Sequence, residues 1–356
     1  MKYRQNNLIS AESIATAGTK VIDIDSTDVI SQIELVVKGT NASSTPTAHP
    51  AKMVTLVEVV DGSDTLYSLS GVEAQAMNFF EEGKMPFNVN EFEDNIQCCA
   101  TYHLNFGRML WDEQLGLDPN RFKNLQLKIT HDKALGGSAP DAGSLTVITH
   151  DFDEKKVSPM GFLQSKEIYS YTLAASAHEY IDVDIDMPLR KLNLMSLSAS
   201  NPISSQLDYV KMYEDNGKRT PINNEYMPNM MKLGLNNKVV AERFAGLGTA
   251  SAVTYYVAPT YESYSVGIGR SATQAAAIFA QPSGNAAAVT NDASESFGAV
   301  IQGFSPHGMI ELLDHDAMNP ADWYDVTKLK SLKLDLTAAS GASGTVETVV
   351  QQLRKY

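Results

Sequence analysis

Apolar and polar positions alternate along most of the chain, the period of a strand with one buried face. Ile22-Asp23-Ile24-Asp25 shows it, then Ile30, Ile33 and Leu35, and farther on Asn124-Leu125-Gln126-Leu127-Lys128-Ile129-Thr130. Where the alternation stops, turn residues stand: Asp61-Gly62 closes Val57-Glu58-Val59-Val60 and predicts a hairpin. A helical period follows it. Ser70 and Glu73 have capping-box spacing, Val72, Ala76, Phe79 and Phe80 make an apolar stripe, and Gly83 is the expected stop.

The same order of elements then recurs. Ile181-Asp182-Val183-Asp184 repeats the first strand signal, and Leu189, Leu192 and Leu194 stand where Ile30, Ile33 and Leu35 stood. Met212-Tyr213-Glu214-Asp215-Asn216-Gly217 supplies a second hairpin. After it, Asn223 as cap, Tyr226, Met227, Met230, Met231 and a stop at Gly234 predict a second helix. Gly107, Pro119 and Phe122 match Gly308, Pro320 and Trp323. Leu125 to Ile129 matches Leu332-Lys333-Leu334-Asp335-Leu336, and Gly143, Leu145 and Ile148 match Gly344, Val346 and Val349. A retained order counts for more than single identities, because any two β-domains share alternation and turns.

The expected fold is therefore all-β: two tandem antiparallel eight-stranded jelly rolls, each with a short helix. Residues 1–19 read as an N-terminal arm, 20–160 as the first roll, 161–170 as a linker after the polar Lys155-Lys156-Val157-Ser158-Pro159, and 171–356 as the second roll. The halves differ in one interval. From Gly234 to Gly308 the second half is 50 residues longer than the first from Gly83 to Gly107, which places an insertion at about 241–302. It is rich in Ala, Gly and Ser with Tyr255, Tyr256, Tyr261 and Tyr264 between, and Ala252 to Val257 and Tyr264 to Val266 have strand propensity. A β-rich excursion at one end of the second roll is expected.

Composition narrows the function. With 356 residues and 43% hydrophobic, the chain has the material for two cores. A net charge of −14 is the wrong sign for a broad grip on phosphates, so no direct nucleic-acid contact is expected. No apolar run approaches the roughly 18 residues that span a bilayer, and Lys2 and Arg4 precede no apolar stretch that would signal export. Cys98 and Cys99 are adjacent, too close to pair with each other, and read as small core-side residues of a strand in a reduced compartment. Without export, Asn41-Ala42-Ser43 matches the glycosylation pattern only formally.

Candidate chemistry is sparse. His49, His103, His131, His150, His178, His307 and His315 are scattered, with neither His-x-His nor His-Glu-x-x-His, which argues against the metal site of a two-domain cupin. Asp182, Asp184 and Asp186 have the spacing of a calcium loop, but Met187-Pro188 stand where its glycine belongs, so they read as a solvated strand face. Asp151-Phe152-Asp153-Glu154 and Asp314-His315-Asp316 are read the same way. Gly267-Ile268-Gly269-Arg270-Ser271-Ala272 imitates a dinucleotide fingerprint without the surrounding βαβ unit. No catalytic, cofactor-binding or metal-ligating residue is assigned; no cofactor and no enzymatic activity are expected.

With its duplication across about 20–353, its helix after each hairpin, and Phe106-Gly107-Arg108-Met109-Leu110 leading through Asp118-Pro119-Asn120-Arg121-Phe122 into a strand, the chain resembles a known group. It is similar to the double jelly-roll major capsid proteins of tailless icosahedral viruses, of the tectivirus, corticovirus and finnlakevirus kind, bacteriophages among them. The resemblance implies a virion protein, assembled in the host cytoplasm, whose homotrimer is a pseudo-hexagonal capsomer beside neighbouring capsomers and penton or minor capsid proteins. It further implies an internal membrane, with Lys2 and Arg4 as the inward contact, and a 241–302 insertion lying outside the shell or at the trimer axis. The competing reading is a carbohydrate-binding or adhesive, spike-like β-sandwich.

Overall fold

The computed structural model describes residues 1–198, 201, 203–225, 239–247, 253–258, 264–269, 278–279, 286–290 and 296–356. The first half contains β1 (Tyr3–Ser13), β2 (Ala17–Asp23), β3 (Ile30–Thr40), β4 (Val54–Asp61), β5 (Asp64–Leu69), α1 (Gly71–Glu82), β6 (Asn90–Glu91), β7 (Gln97–Asn105), β8 (Leu125–Asp132) and β9 (Ala142–Phe152). The second contains β10 (Gly161–Thr172), β11 (His178–Val183), β12 (Leu189–Leu197), β13 (Leu207–Glu214) and β14 (Arg219–Glu225). There follow β15 (Val240–Leu247), β16 (Val253–Tyr256), β17 (Tyr264–Gly269), β18 (Ile278–Phe279), β19 (Ala286–Thr290) and β20 (Ser296–Gly303), then β21 (Met309–Glu311), β22 (Leu332–Ala338) and β23 (Thr345–Lys355).

The two halves have one topology. The first packs the sheet β1-β9-β3-β7 against β2-β8-β4-β5; the second packs β10-β23-β12-β21 against β11-β22-β13-β14, strand for strand the same order. Alternation decides which side chains go inside. In β8, Leu125, Leu127 and Ile129 are buried, and in β22 Leu332, Leu334 and Leu336 take the same places. Each half thus has its own core, one around Ile33, Leu35, Val57, Val59 and Tyr102, the other around Leu192, Leu194, Val210, Met212 and Leu334. This is a double jelly roll.

Two sequence boundaries change. Residues 161–170 are no linker: they form most of β10, paired along its length with β23. Residues 1–19 are no free arm either, because Tyr3 to Ser13 pairs with Phe152 to Ser144 of β9. The corrections have one cause, since β1 and β10 are equivalent outer strands of equivalent sheets. β1 is held by backbone hydrogen bonds, with only Ile9 of its side chains buried, so it shows no apolar alternation to read.

The first helix starts and stops at the expected residues. Ser70 Oγ accepts from the Glu73 N–H, Glu73 Oε2 accepts from the Ser70 N–H at 2.7 Å, and Gly83 ends the helix at φ 70°. Of the second expected helix, the cap candidate Asn223 lies inside β14, opposite Lys211, and 226–234 lie outside the described residues. Within the insertion, β17-β20-β15 form a sheet whose last neighbour is β6 of the first half, and β16-β19-β18 form another. A satellite core of Phe244, Tyr255 and Phe297 closes on Phe92, with Tyr255 and Phe297 edge to face at 5.2 Å. The excursion is β-rich, as its composition suggests, and its described strands lean on the first roll.

Candidate assembly surface and the joint between the rolls

The joint between the rolls uses both faces of one sheet. Along β12 and β23, Leu192, Leu194, Val346 and Val350 point into the second core, while Met195 and Val349, with Phe162 and Met309, belong to the core of the first. Met195 and Val349 are fully buried. Each such side chain contributes about 1.5–3 kcal/mol. The covering elements are α1 and the neighbouring edge β5, which meets β10 through one parallel bridge, Ser68 to Lys166.

Polar groups lock this joint. The fully buried Arg190 donates from Nε to the Ala317 carbonyl at 2.9 Å and from Nη1 to Gln351 Oε1, and its guanidinium lies 3.7 Å from Glu81 on α1. Gln351 donates in turn to Glu81 and, at 2.9 Å, to Ser165 Oγ. Within the second roll Lys191 pairs with Glu311 at 2.6 Å, and across the joint Arg354 holds Asp64 with both Nη atoms. The insertion has a clamp of its own. Buried His49 takes the Ala51 N–H on Nδ1 and so donates from Nε2 to Glu242 at 3.0 Å, while Asn88 donates to the other Glu242 oxygen at 2.6 Å. Burial works against the Glu242 charge, but His49 and Asn88 outweigh it and hold the carboxyl down to about 2. His307 packs edge-on to His49 at 4.8 Å and bonds Gln75 at 3.0 Å; burial keeps it neutral.

The first roll carries the same sheet face uncovered. In register with Met195 and Val349 stand Val36 and Ile148; Val36 pairs with Thr146, and Ile148 with Glu34. All four are half-exposed, and Lys38 beyond them is exposed. In the second roll β14 is the last strand of its sheet among the described residues, the place β5 holds in the first.

Other sequence candidates fall apart or find partners. Arg4 lies 2.9 Å from Asp28, 3.6 Å from Asp151 and 3.7 Å from Asp153, which fastens β1 to its sheet. Cys98 and Cys99 are buried on opposite faces of β7, and burial pushes the Cys98 thiol up to about 12. Asn41 is buried, donating to the Glu91 carbonyl and accepting from Ser138, so its amide is not presented to solvent. Asp182 is exposed and pairs with Lys333 at 3.1 Å, a solvated strand face. Gly267 to Gly269 belongs to β17, paired with β20, and 270–272 lie outside the described residues. Asp314, His315 and Asp322 line a cavity of about 320 Å³ with Arg219, which Glu214 holds at 2.8 Å. Among the described residues no group of three or more His, Cys, Asp or Glu side chains is placed to hold a metal ion, and no helix is long and apolar enough to cross a membrane.

Sequence reasoning missed Arg190, Gln351, Glu81 and Glu242, and left His49 among the scattered histidines. Their partners lie far away along the chain, and no local pattern marks them.

The two packed sheet pairs define a class, the double jelly rolls. Known structures of that class match this chain over almost its whole length. The STIV MCP superposes with a TM-score of 0.62 at 12% identity, over 100% of this chain and 98% of that one. A PBCV-1 virus capsid chain gives 0.61 at 9%, over 99% and 93%, and the major capsid protein P2 of bacteriophage PM2 gives 0.55 at 9%, over 99% and 98%. No protein-family model matches the sequence, and no curated protein matches it.

Proposed function

We propose that the chain is a major capsid protein of an icosahedral virus, resident in the virion, whose working unit is a ring of three copies. The carrying observation is the repeated sheet face: Met195 and Val349 are buried in the internal joint, and Val36 and Ile148 stand half-exposed at the equivalent places. If the β1-β9-β3 face of one copy meets the β14 end of the next as the second roll meets the first, each contact is heterologous, and three two-roll chains close a pseudo-sixfold ring. The structural neighbours named above, capsid proteins spanning nearly the whole chain, support this reading. Adjacent rings and penton or minor proteins would complete the shell, with the insertion at its outer surface or the ring axis. An inward membrane contact at Lys2 and Arg4 has less support, because three carboxylates already hold Arg4.

The test is a charge placed on the open face. Val36→Asp with Ile148→Asp leaves the inner cores untouched and should give a folded monomer that forms no rings. A double variant that still assembles as the parent does would overturn the proposed contact.

A further inference from the structure

Two acidic side chains meet across the joint with nothing between them to neutralise both. Glu73 in the first turn of α1 is fully buried; its Oε2 serves the capping box, and its Oε1 has no hydrogen-bond partner. Glu347 comes from β23 of the other roll, half-buried, and its Oε2 is buried without a partner. Glu347 stands two residues before Val349, on the face of β23 that enters the first core beside Val72, Ala74 and Ala76 of α1, which makes it a charged neighbour of Glu73. As two carboxylates neither can donate, so both orphaned oxygens would stay unsatisfied in a site that already disfavours charge.

The surroundings do not supply the missing countercharge. Glu167 faces the pair from β10, Glu81 lies on the same helix, and Tyr67 comes from β5. The opposing residue on β12 is the uncharged Met195. Among the described residues the cation directed at the pair is Lys52, from the turn Pro50–Met53, whose own charge burial weakens.

We propose that Glu73 and Glu347 share one proton and so act as an acid-stabilised latch between the two rolls. The proton makes one carboxyl the donor and the other the acceptor, which satisfies both oxygens and leaves a single negative charge near Lys52. Its loss puts two like charges across the joint. Burial and the neighbouring carboxyls raise both groups above the value near 4.5 that they keep in the unfolded chain. A raised folded value gives stability that is complete below the unfolded value and disappears as the pH rises through the folded one. The joint should therefore be firm in mild acid and loosen in mild alkali. The latch lies within one chain and stands whether or not that chain builds a shell.

The experiment compares thermal unfolding of the full chain at about pH 5.5 and 8.5, in EDTA so that no metal ion replaces the proton, for the parent, Glu347→Gln and Glu73→Gln. Glutamine preserves the capping box at position 73, and either variant supplies a permanent donor. The parent's midpoint should fall by several degrees between the two pH values, and each variant should lose at least half of that fall. Equal falls in all three proteins, or no fall in the parent, would overturn the latch. The infrared band of a protonated carboxyl provides a second readout: it should be present in the parent near pH 6 and weaker in both variants. A band unchanged in both would likewise contradict the proposal. Should Glu73→Gln fail to fold, Glu347→Gln decides by both measures.

Discussion

Arg190 shows how far a single side chain can depart from its sequence setting. It follows Pro188-Leu189 and precedes Lys191, as a surface strand would, yet both cations are fully buried against Glu81 and Glu311. A buried ion pair contributes little net stability, but removing one partner leaves an uncompensated charge. Arg190→Ala should therefore cost about 3–5 kcal/mol in denaturant unfolding. Replacing Arg190 and Glu81 together by Met should cost less than Arg190→Met alone. An Arg190→Ala loss below about 1 kcal/mol would mean that Gln351 and the Ala317 carbonyl do not depend on it. None of this was legible from the sequence, because these contacts join residues that are local to nothing. What was legible was short-range: Ser70, Glu73 and Gly83 act within one helix, and Asp61-Gly62 and Asn216-Gly217 within one turn, with Gly62 at φ 64° and Gly217 at φ 89°.

At the scale of elements, the readable strands are those with one buried and one solvated face. β8 and β22 alternate cleanly and match each other in sequence; β1, an edge strand with almost nothing buried, and the start of β10, buried on both sides, carry no alternation and read as an arm and a linker. The register of β1 and β10 became visible only through the repeated sheet order. Helix α1 shows the opposite conflict, between local preference and packing. Alanine at Gly71 would favour the helix by up to about 1 kcal/mol, but its Cβ would lie 2.7 Å from the Val54 carbonyl oxygen and 2.9 Å from the Tyr102 ring, and would collide with the Ala51 carbonyl. Overpacking of that kind costs about 1–3 kcal/mol, so Gly71→Ala should be a net loss of about 1–2 kcal/mol. Chemical denaturation measures it, and a stabilised variant would show that helix propensity outweighs the contact between α1 and the turn beneath it.

For the whole molecule, one relation matters most: the sheet face that joins the second roll to the first has a half-exposed counterpart on the first roll, at Val36 and Ile148. The duplication itself could be read from the order of strands, hairpins and helix, because each roll is built from local signals repeated in sequence. The joint could not, since its apolar part, Met195 and Val349, differs from Val36 and Ile148 only in having something packed on it. Acidity fits the same picture. A chain of net charge −14 gains nothing by lying on nucleic acid, but its broad sheet faces can pack on copies of themselves. The most direct measurement is the light-scattering mass of the purified chain, with electron microscopy of the same fraction. The account predicts about 116 kDa, three times 38.7 kDa, and a six-lobed outline. A particle that remains at 38.7 kDa at every concentration up to the limit of solubility would contradict it.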